Sequence, residues 1–452
     1  MSRIDIGNLV DAEDVAWFCL NEGPMLPAIL GTHYEPSAST EETVTETLRI
    51  SLRGTQAEVR TVIARLEDFC RQVQLYEEQG LGTPLYLRVI LPHDYDPLYS
   101  RLLQAHLQAG PGALAFEEHG SLTLDLTLTR RNSFDSREYP LTLHNTAGAG
   151  LIAALKNLDD GLAVGNDNYF WVQTDALGTQ LPAPMRLKVT NLGNNPLAQL
   201  LVGAYHHPSS PDKPPLVLEG EYAEEGVEVP ESSASNGVYA QFTLSRGAWQ
   251  ALASWQLTQT QLEALGGRLY LPILRFPNPL PAGLLQLRVA LSFPGLPAEL
   301  GTTLYQSPAT NAIAGQGFLP IAPLRLPFSG QLLEMQPAPL RFALWAYAPG
   351  TGNQTIYLDD ILLLPLDSFA WFSSNAGLPA NAALIDNAFL RKTFTLANSK
   401  EMRTHQRVGD YFYLPPGMTS WFFFFQTNGQ GLAPVNLPIS VQAWYRQRRR
   451  IL

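Results

Sequence analysis

Five consecutive aromatic residues, Trp421–Phe425 in the stretch SWFFFFQT, constrain more than any other feature how this chain can fold. Gly417 precedes the run and QTNGQG follows it, and such turn-forming residues typically bound a strand. Because side chains alternate along a strand, the first, third and fifth residues face one way, while Phe422 and Phe424 face the other. We therefore expect both faces to be covered, one by a helix at 56–79 and the other by a β-sandwich or a neighbouring subunit.

The aromatic run is far too short to cross a membrane, which takes about 20 apolar residues. No other segment of the chain approaches that length without interruption. Exposed on its own, a segment of this kind would promote aggregation. The run therefore predicts an internal strand and favours a protein that works as part of an assembly.

Short strands dominate the region from about 151 to 365. Stretches such as YFWVQT, RLYLPILRF, LQLRVALSF and LRFALWAYA are rich in β-branched and aromatic residues, and Pro, Gly and Asn clusters separate them. This pattern is typical of a β-sandwich of the jelly-roll kind, and the region is long enough for one large sandwich or two small ones. Within it, only residues 246–267 suggest a helix.

The N-terminal region mixes helix and strand. Thr55 and Glu58 form a capping-box sequence, apolar residues then recur at spacings of three and four, and glycines follow, which together predict one long helix. Period-two alternation on either side predicts strands. The predicted elements are a strand over 44–52, a helix over 56–79, a strand over 83–92, a weaker helix over 96–110 and a hairpin over 112–131.

Three regions follow from these patterns. HNTAGAG, at 144–150, is small and polar and marks a boundary. We therefore predict an α+β domain over 1–147, a β-sandwich insertion over 148–365 and C-terminal strands over 366–452 that complete the first domain. The predicted fold class is mostly β, with one α+β domain and an inserted sandwich region.

The charge of the chain limits its partners. Its formal net charge is −11, whereas nucleic-acid binding requires a basic surface, so nucleic acid is not expected as the main partner. The same charge disfavours adhesion to an anionic membrane, and no membrane association is expected. The N-terminus has no basic-then-apolar signal pattern, which implies synthesis in a cytosol.

Two acidic stretches are candidates for a metal site. Asp359 and Asp360 are adjacent, and neighbouring residues of a strand point to opposite faces, so we expect that they do not act on one bond together. A turn is favoured for this pair over a calcium ion. The stretch LDDGLAVGNDNY lacks EF-hand spacing, and clusters of this composition form turns by default. Its oxygen-bearing side chains are Asp159, Asp160, Asn166, Asp167 and Asn168.

The other motifs that could carry chemistry are incomplete. Gly148, Gly150 and Ala153 fit a loose GxGxxA, but a polar linker precedes them and acids follow too soon for a dinucleotide site. His206 and His207 diverge on a strand, without an HExxH or a GxSxG motif. We therefore predict no catalytic, cofactor-binding or metal-binding residues and no enzymatic activity, with calcium as the one ion left open.

Two groups of side chains could instead serve binding. The C-terminal RQRRRIL is either a solvated strand end or a dock for an acidic neighbour, including another copy of the chain. Its arginines are Arg446, Arg448, Arg449 and Arg450. Aromatic faces stack on sugars, although core packing is the commoner role. The tryptophans considered for this role are Trp171, Trp249, Trp255 and Trp345.

Segments at the two ends of the chain resemble a known protein family. The run ETLRISLRGTQAEVRTVIARLEDFCRQ through LYLRVILP, followed by LTLDLTLTRRNSF, resembles the belt-forming region of distal tail and related minor tail proteins of tailed bacteriophages. The end of the chain, YLPPGMTSWFFFFQ with LPISVQAWYRQR, is similar to their closing strands. The resemblance covers roughly 1–140 and 366–452. Residues 151–365 are similar in general character to galactose-binding-like or carbohydrate-binding jelly rolls.

The resemblance implies a structural protein of the phage virion, synthesised in the cytoplasm of the host bacterium. In that family the belt regions assemble into a ring, here expected to be a hexamer, that joins the tail tube to the tip. The sandwiches project outward and in some members hold host glycans. The implied partners are copies of this chain, other phage tail proteins and host-surface glycans. The family has no catalytic residues to transfer.

Two other functions stay open. A carbohydrate-binding adhesin without catalysis would use the sandwich and its tryptophans. A glycoside hydrolase or lyase with an accessory sandwich would need two carboxylates about 5–10 Å apart in a cleft. Host, receptor, ring symmetry and the ligand of the sandwich do not follow from the sequence.

Overall fold

The structure of the protein is a computed structural model. The residues that it describes are 3–8, 17–20, 29–30, 41–91, 96–109, 121–145, 148–155, 168–174, 177–208, 216–231, 234, 237–277, 280, 285–293, 303–312, 317–327, 340–366, 368–398, 400–402, 405–427 and 438–450. Antiparallel strands dominate these residues, so the fold is mostly β, as predicted. Among them, no helix is both long enough and apolar enough to pass through a membrane.

The chain begins with strands and the one long helix. The elements of this region are β1 (Arg3–Asn8), β2 (Phe18–Cys19), β3 (Ile29–Leu30), β4 (Thr43–Arg53), α1 (Gln56–Gln79), β5 (Leu85–Ile90), β6 (Leu98–Ala109), β7 (Ser121–Arg131) and β8 (Phe134–Pro140). Six further strands follow before the chain enters a separate group of sheets: β9 (Leu143–Asn145), β10 (Gly148–Gly150), β11 (Ile152–Leu155), β12 (Tyr169–Gln173), β13 (Ala183–Asn191) and β14 (Leu197–His207).

The separate group of sheets, which we call the inserted sandwich, is built from residues 216–366. Its elements are β15 (Val217–Glu219), β16 (Val227–Pro230), β17 (Val238–Ser245), β18 (Gln250–Leu257), α2 (Gln259–Leu265), β19 (Leu269–Arg275), β20 (Leu285–Ser292), β21 (Thr303–Gln306), β22 (Thr310–Ala312), β23 (Phe318–Pro320), β24 (Leu324–Arg325), β25 (Leu340–Tyr347), β26 (Asn353–Leu358) and β27 (Asp360–Pro365). The chain then ends with β28 (Ser368–Leu378), β29 (Ala383–Asn387), β30 (Lys392–Ala397), β31 (Lys400–Met402), β32 (Gln406–Gly409), β33 (Tyr413–Leu414), β34 (Thr419–Thr427) and β35 (Ile439–Arg449).

The helix α1 confirms the sequence prediction. Thr55 accepts a hydrogen bond from the Glu58 backbone N–H, and the Glu58 carboxylate accepts one from the Thr55 N–H, which completes the capping box. Gly80 ends the helix in the left-handed conformation, with φ 67°. The buried face of α1 packs into a core with β4, β5 and β7. Its buried side chains are Val59, Val62, Leu66 and Val73.

The second predicted helix, over 96–110, is wrong. Its described residues form the strand β6, which pairs with β5 on one side and with β7 on the other. Leu102 is buried, whereas Gln104 and His106 are exposed, so the segment follows the period of a strand. Pairing with two neighbouring strands outweighed the local helical preference, which is a weak term beside tertiary contacts. The helix suggested over 246–267 is reduced to α2, because β18 occupies its first part.

Strand pairing joins the two ends of the chain. Among the described residues, one 15-stranded sheet runs in the order β2-β1-β5-β6-β8-β35-β13-β29-β30-β31 along its main path. In it, the last strand β35 lies between β8 and β13, and it also pairs with β11. A 7-stranded sheet has the order β10-β9-β12-β34-β14-β28-β32. The boundaries at 147 and 365 stay a prediction, but strands β11–β14 pair with those of the C-terminal region.

The aromatic run lies in β34, near the middle of the 7-stranded sheet, and both of its faces are buried, as predicted. Trp421, Phe423 and Phe425 join the core of the inserted sandwich. Phe422 and Phe424 join a second core, formed with β13 and β35. The expectation that α1 covers one face is wrong, because α1 belongs to a third core. The chain covers both faces itself, so the run alone does not call for a neighbouring subunit.

The inserted sandwich is closely joined to the 7-stranded sheet. A Cβ added to Gly203 of β14 would come within 2.4 Å of the carbonyl oxygen of Pro365, so only glycine allows this approach. The Tyr205 hydroxyl donates a hydrogen bond to the carbonyl of Ala264. The Arg268 guanidinium lies 4.2 Å from the centre of the Tyr205 ring and donates to the carbonyl of His206. These contacts fix the orientation of the inserted sandwich.

Candidate functional site

The outer face of one sheet of the inserted sandwich carries a group of aromatic and polar side chains. The sheet has the order β18-β25-β20-β21. Along β25, Phe342 and Leu344 are buried in the core, while Trp345 and Tyr347 are partly exposed. Arg288 of β20 lies directly opposite Trp345. Because cross-strand partners share a face, the sequence alternation places these side chains together on the outer surface.

We call Trp249, Arg288, Trp345 and Tyr347 the aromatic platform. The rings of Trp249 and Tyr347 lie 5.7 Å apart between centroids. The Arg288 guanidinium lies 4.0 Å from the centroid of Trp249 and 5.8 Å from that of Trp345. A guanidinium over an indole is a favourable cation–π arrangement, which holds the arginine fork in a fixed plane. The arrangement gives a partly exposed aromatic surface with one cation within it.

Amide side chains border the platform. Gln286, which is opposite Tyr347, donates a hydrogen bond of 3.0 Å to the side-chain oxygen of Asn311. With its amide turned so that the oxygen faces the guanidinium, Gln306 accepts from the Arg288 Nε and Nη2 at 2.9 Å. Asn311 and Gln306 are exposed. Amides that border an aromatic surface offer the donors and acceptors that fix the orientation of a polar ligand.

Burial lowers the pKa of Arg288, and no acidic neighbour counteracts this effect. Among the described residues, no carboxylate forms an ion pair with this guanidinium. On the same sheet face, Arg341 contacts both Glu224 and Glu225 at 2.9 Å. Within the described part of the chain, the positive charge of the platform thus has no balancing acid, and it is partly removed from water.

Two of the four tryptophans considered from the sequence belong to the platform, and two do not. Trp171 stacks on His144 at 4.2 Å and packs against the core of the inserted sandwich. Trp255 is buried and donates from Nε1 to the carbonyl of Glu219. Sequence reasoning missed Arg288 and Tyr347. The alternation in LQLRVALS and LRFALWAYA carried the signal, because each residue occupies the side of its strand opposite to buried leucines.

The second candidate site is a buried acidic corner. Asp359 lies between β26 and β27, which belong to different sheets, and Asp360 opens β27. The Arg275 Nη2 lies 3.0 Å from an oxygen of Asp359 and 2.5 Å from one of Asp360. The expectation that the two carboxylates diverge is therefore wrong. The chain changes sheets at this point, and strand alternation does not continue through the junction.

Glu219 completes this corner. It is the cross-strand partner of Asp360, and one carboxylate oxygen from each of Glu219, Asp359 and Asp360 lies within 4.8 Å of the others. Carboxylates are the ligands that calcium prefers. Arg275, however, already contacts two of the three and supplies the positive charge that a cation would bring. Burial raises the pKa of Asp360 to about 6, so a proton is a further means of reducing the charge. Calcium, which the sequence left open beside the favoured turn, stays untested at this corner.

The histidine pair is structural in its contacts. His206 Nδ1 lies 2.9 Å from the Ser420 hydroxyl. Burial, followed by the nearby Arg268 cation, lowers the pKa of His206 to about 4, so this imidazole is neutral at physiological pH. His206 borders a cavity of about 600 Å³, which Ser420 does not line. A serine next to a histidine is the start of a nucleophilic site, but here the serine is fully buried.

The C-terminal arginines mostly hold the fold together. Arg448 forms a two-point ion pair with Asp135, at 2.7 and 3.0 Å. Arg446 is buried, donates to the carbonyl of Ser136 and lies 4.2 Å from the centroid of Phe389. These two arginines therefore join β35 to its neighbours. Their guanidinium groups are thus engaged within the chain.

The remaining candidates from the sequence fall into two groups. Gly148 and Gly150 lie in β10, which pairs with β9 as a short hairpin, and Ala153 lies in β11. A strand–helix unit, which a dinucleotide site requires, is not formed by these residues. Asn168 exchanges backbone and side-chain hydrogen bonds with Phe424. Asp159, Asp160, Asn166 and Asp167 lie outside the described residues.

Comparison with known proteins gives weak likenesses only. No protein-family model and no curated protein matches the chain. A chain in the structure of the phage p2 baseplate, in its activated conformation with Sr, aligns over 100% of this chain and 99% of its own length, with 8% identity and a TM-score of 0.30. An exo-β-1,3-galactanase from Phanerochaete chrysosporium aligns over 77% of this chain and 87% of its own, with 10% identity and a TM-score of 0.22.

A third likeness involves a polysaccharide-degrading enzyme. The CBM22-1 and GH10 modules of an endo-1,4-β-D-xylanase from Clostridium thermocellum, complexed with xylohexaose, align over 39% of this chain. The identity is 14% and the TM-score 0.20, and the aligned part spans 28% of the xylanase chain. The likenesses thus include a phage baseplate chain and two proteins that act on or bind polysaccharides, all at low TM-scores.

Proposed function

We propose that this protein is a non-catalytic structural subunit of a phage tail tip, and that it assembles into a ring through the open edge of its 7-stranded sheet. The resemblance of 1–140 and 366–452 to distal tail proteins motivates the proposal. The pairing of β35 with β8 supports it, because the two regions that carry the resemblance share one sheet. In such a role the protein resides in the virion, and its partners are copies of itself and other tail proteins.

The observation that carries the proposal is an uncovered apolar strip at the sheet edge. Leu201, Trp371 and Val408 lie side by side on the face that also bears Phe425. The inserted sandwich covers this face at Leu201 and Phe425, but Trp371 is 43% exposed and Val408 55% exposed. The apolar face of the sheet thus extends past the part that the inserted sandwich covers.

The strip also lies at an edge that can pair. β32 is the last strand of its sheet among the described residues, where it pairs with β28 on one side only. An edge strand presents unpaired N–H and C=O groups, which favour pairing with another chain. A second copy that covers Trp371 and Val408 with a different surface forms a head-to-tail contact, and such contacts form a ring when the rotation from copy to copy closes. Apolar side chains at an open edge are the combination that a ring subunit requires.

We expect the purified full-length protein to form oligomers, with the hexamer as the expected closed ring. The double variant Trp371→Ser with Val408→Ser should shift the population to monomers, because it removes the apolar area without altering a core. Native mass spectrometry measures the distribution. Tyr222→Ser is the matched control, since Tyr222 is 71% exposed but lies on the inserted sandwich. A wild-type protein that is monomeric at all concentrations, and that captures no tail protein, would refute the assembly proposal.

A second function, glycan binding by the inserted sandwich, is favoured by the aromatic platform. Partly exposed rings with amides around them match the chemistry of a sugar, whose apolar face stacks and whose hydroxyls form hydrogen bonds. The same arrangement would serve a free-standing carbohydrate-binding adhesin. Trp249→Ala should weaken glycan binding, whereas Trp371→Ser should leave it unchanged, and a glycan array read with both variants tests this. The two functions are compatible in one subunit.

A further inference from the structure

Arg288 differs in its surroundings from Arg275 and Arg341, two other arginines of the inserted sandwich. Arg275 contacts two aspartates, and Arg341 contacts two glutamates. Arg288 contacts two indole rings and the amide of Gln306, and within the described part of the chain it forms no ion pair with an acid. A partly buried cation without a counter-ion retains a strong preference for an anion.

The geometry of Arg288 leaves donors for a ligand. A guanidinium has five N–H donors in one plane, and the Gln306 oxygen lies within 3.2 Å of all three of its nitrogens. Because that oxygen can face only one N–H of each nitrogen, one N–H of Nη1 and one of Nη2 remain for a ligand. The guanidinium carbon lies 4.0 Å from the Trp249 centroid, and this close contact restricts how the group can turn. A fixed planar fork pairs with a carboxylate through two parallel hydrogen bonds, and the ordering cost of the side chain has been met before binding.

We propose that the aromatic platform binds acidic polysaccharides, with a sugar carboxylate on Arg288 and the adjoining sugar rings on Trp249, Trp345 and Tyr347. This inference rests on the glycan-binding function proposed above and names its substrate class. Gln286, Gln306 and Asn311 then contact sugar hydroxyls at the border of the platform. Neutral glycans lack the group that meets the unbalanced charge.

The overall charge of the protein determines how this recognition works. A net charge of −11 repels an acidic polysaccharide at long range, but ions screen that repulsion beyond about 8 Å at physiological salt. On the same sheet face, Arg341 pairs with Glu224 and Glu225 and so reduces their effect. Selectivity therefore comes from contact with Arg288 and not from attraction at a distance.

The test compares acidic oligosaccharides with their neutral forms. The probes are oligosaccharides of galacturonate, glucuronate and mannuronate, each used as the free acid and as the methyl ester, which keeps the ring but removes the charge. Isothermal titration with the full-length protein should show that at least one acid binds about tenfold more tightly than its ester. Arg288→Gln should reduce the affinity for the acid to that for the ester. Arg325→Gln, an exposed arginine on β24 in another sheet, should have no effect.

The outcomes separate this inference from the function on which it rests. Equal binding of acid and ester, or an Arg288→Gln variant that keeps its preference for the acid, refutes the acidic substrate class and leaves glycan binding intact. No binding of either form at millimolar concentration refutes glycan binding at the platform as well. Trp249→Ala should weaken both forms, since it removes the stacking surface on which each depends.

Discussion

At the scale of single residues, the acidic corner shows how a buried charge is tolerated. Asp360 is 3% exposed, and burial is the largest influence on its pKa, followed by the opposing effect of Arg275. Its Oδ1 has no hydrogen-bond partner among the described residues, whereas Oδ2 contacts Arg275. The single guanidinium serves two carboxylates and cannot fully satisfy both, which is why burial prevails and the pKa rises to about 6.

The raised pKa of Asp360 predicts a dependence of stability on pH. The folded protein holds this proton up to about pH 6, whereas an unfolded chain releases it near pH 3.9. The contribution to stability is therefore complete below about pH 4 and is lost as the pH rises through 6. In Asp360→Asn the group does not titrate. We expect the free energy of unfolding of the wild type, relative to this variant, to fall from about pH 4 to about pH 7.

Urea unfolding across that pH range, followed by tryptophan fluorescence, measures the difference. Asp386→Asn is a useful comparison, because Asp386 is also buried beside an arginine and burial likewise raises its pKa. Parallel pH profiles for the wild type and Asp360→Asn would contradict the assignment. They would mean that Arg275 keeps Asp360 ionised throughout.

At the scale of elements, β34 is the strand on which the two larger cores depend. Phe422 stacks on Phe170 at 4.9 Å between ring centroids and is fully buried. On the opposite face, Phe423 lies 5.8 Å from Tyr169. Each ring is thus locked by its cross-strand partner on β12, and the two faces are filled independently of each other.

We expect Phe422→Ala to lower the free energy of unfolding by about 3–5 kcal/mol, because the change leaves a cavity in a closely packed core. Tyr222→Ala, at an exposed site, should change it by no more than about 0.5 kcal/mol. Chemical denaturation of both variants gives these values. A cost for Phe422→Ala as small as that of the control would show that the face of β34 bearing Phe422 is not closely packed.

The elements also show which parts of the fold could be derived from the sequence. The helix α1, the strand nature of the inserted sandwich and the two-sided burial of β34 all follow from local periodicity and from capping. The mistaken helix at β6 and the convergence of Asp359 with Asp360 depend on which distant strands pair and where the chain changes sheets. These pairings join residues that are far apart in the chain, so local sequence patterns do not reveal them. The exposure of Arg288 could be predicted, since it alternates with buried leucines. Its role could not, because that depends on its contact with Trp249.

At the scale of the whole molecule, the cores on the two sides of β34 share one sheet. Residues Trp421 and Phe423 belong to the core of the inserted sandwich, and Phe422 between them belongs to the other. Loss of either core would expose aromatic rings of the same strand to water. The two cores should therefore unfold together, although they lie in different layers.

We expect Leu344→Ala in the inserted sandwich and Val441→Ala in the other core to lower the midpoint of the same thermal transition. Both side chains are fully buried, so each change removes packing from only one of the two cores. Differential scanning calorimetry of the full-length protein measures the transitions. Two transitions that respond separately, one to each variant, would show that the inserted sandwich unfolds on its own.

The connections of the inserted sandwich have a mechanical consequence. β14 ends at His207 and β28 begins at Ser368, and these strands pair at that same end, where Ala204 faces Ser368. A force on a ligand held by the inserted sandwich would therefore pull β14 and β28 apart from this end. The hydrogen bonds between the two strands would then break one after another and not all at once. The aromatic layer of β34 and the close approach at Gly203 offer a parallel path for the load. A ligand tethered to the platform would thus have to separate the inserted sandwich from β34 before its force acted on the end of the β14–β28 pair.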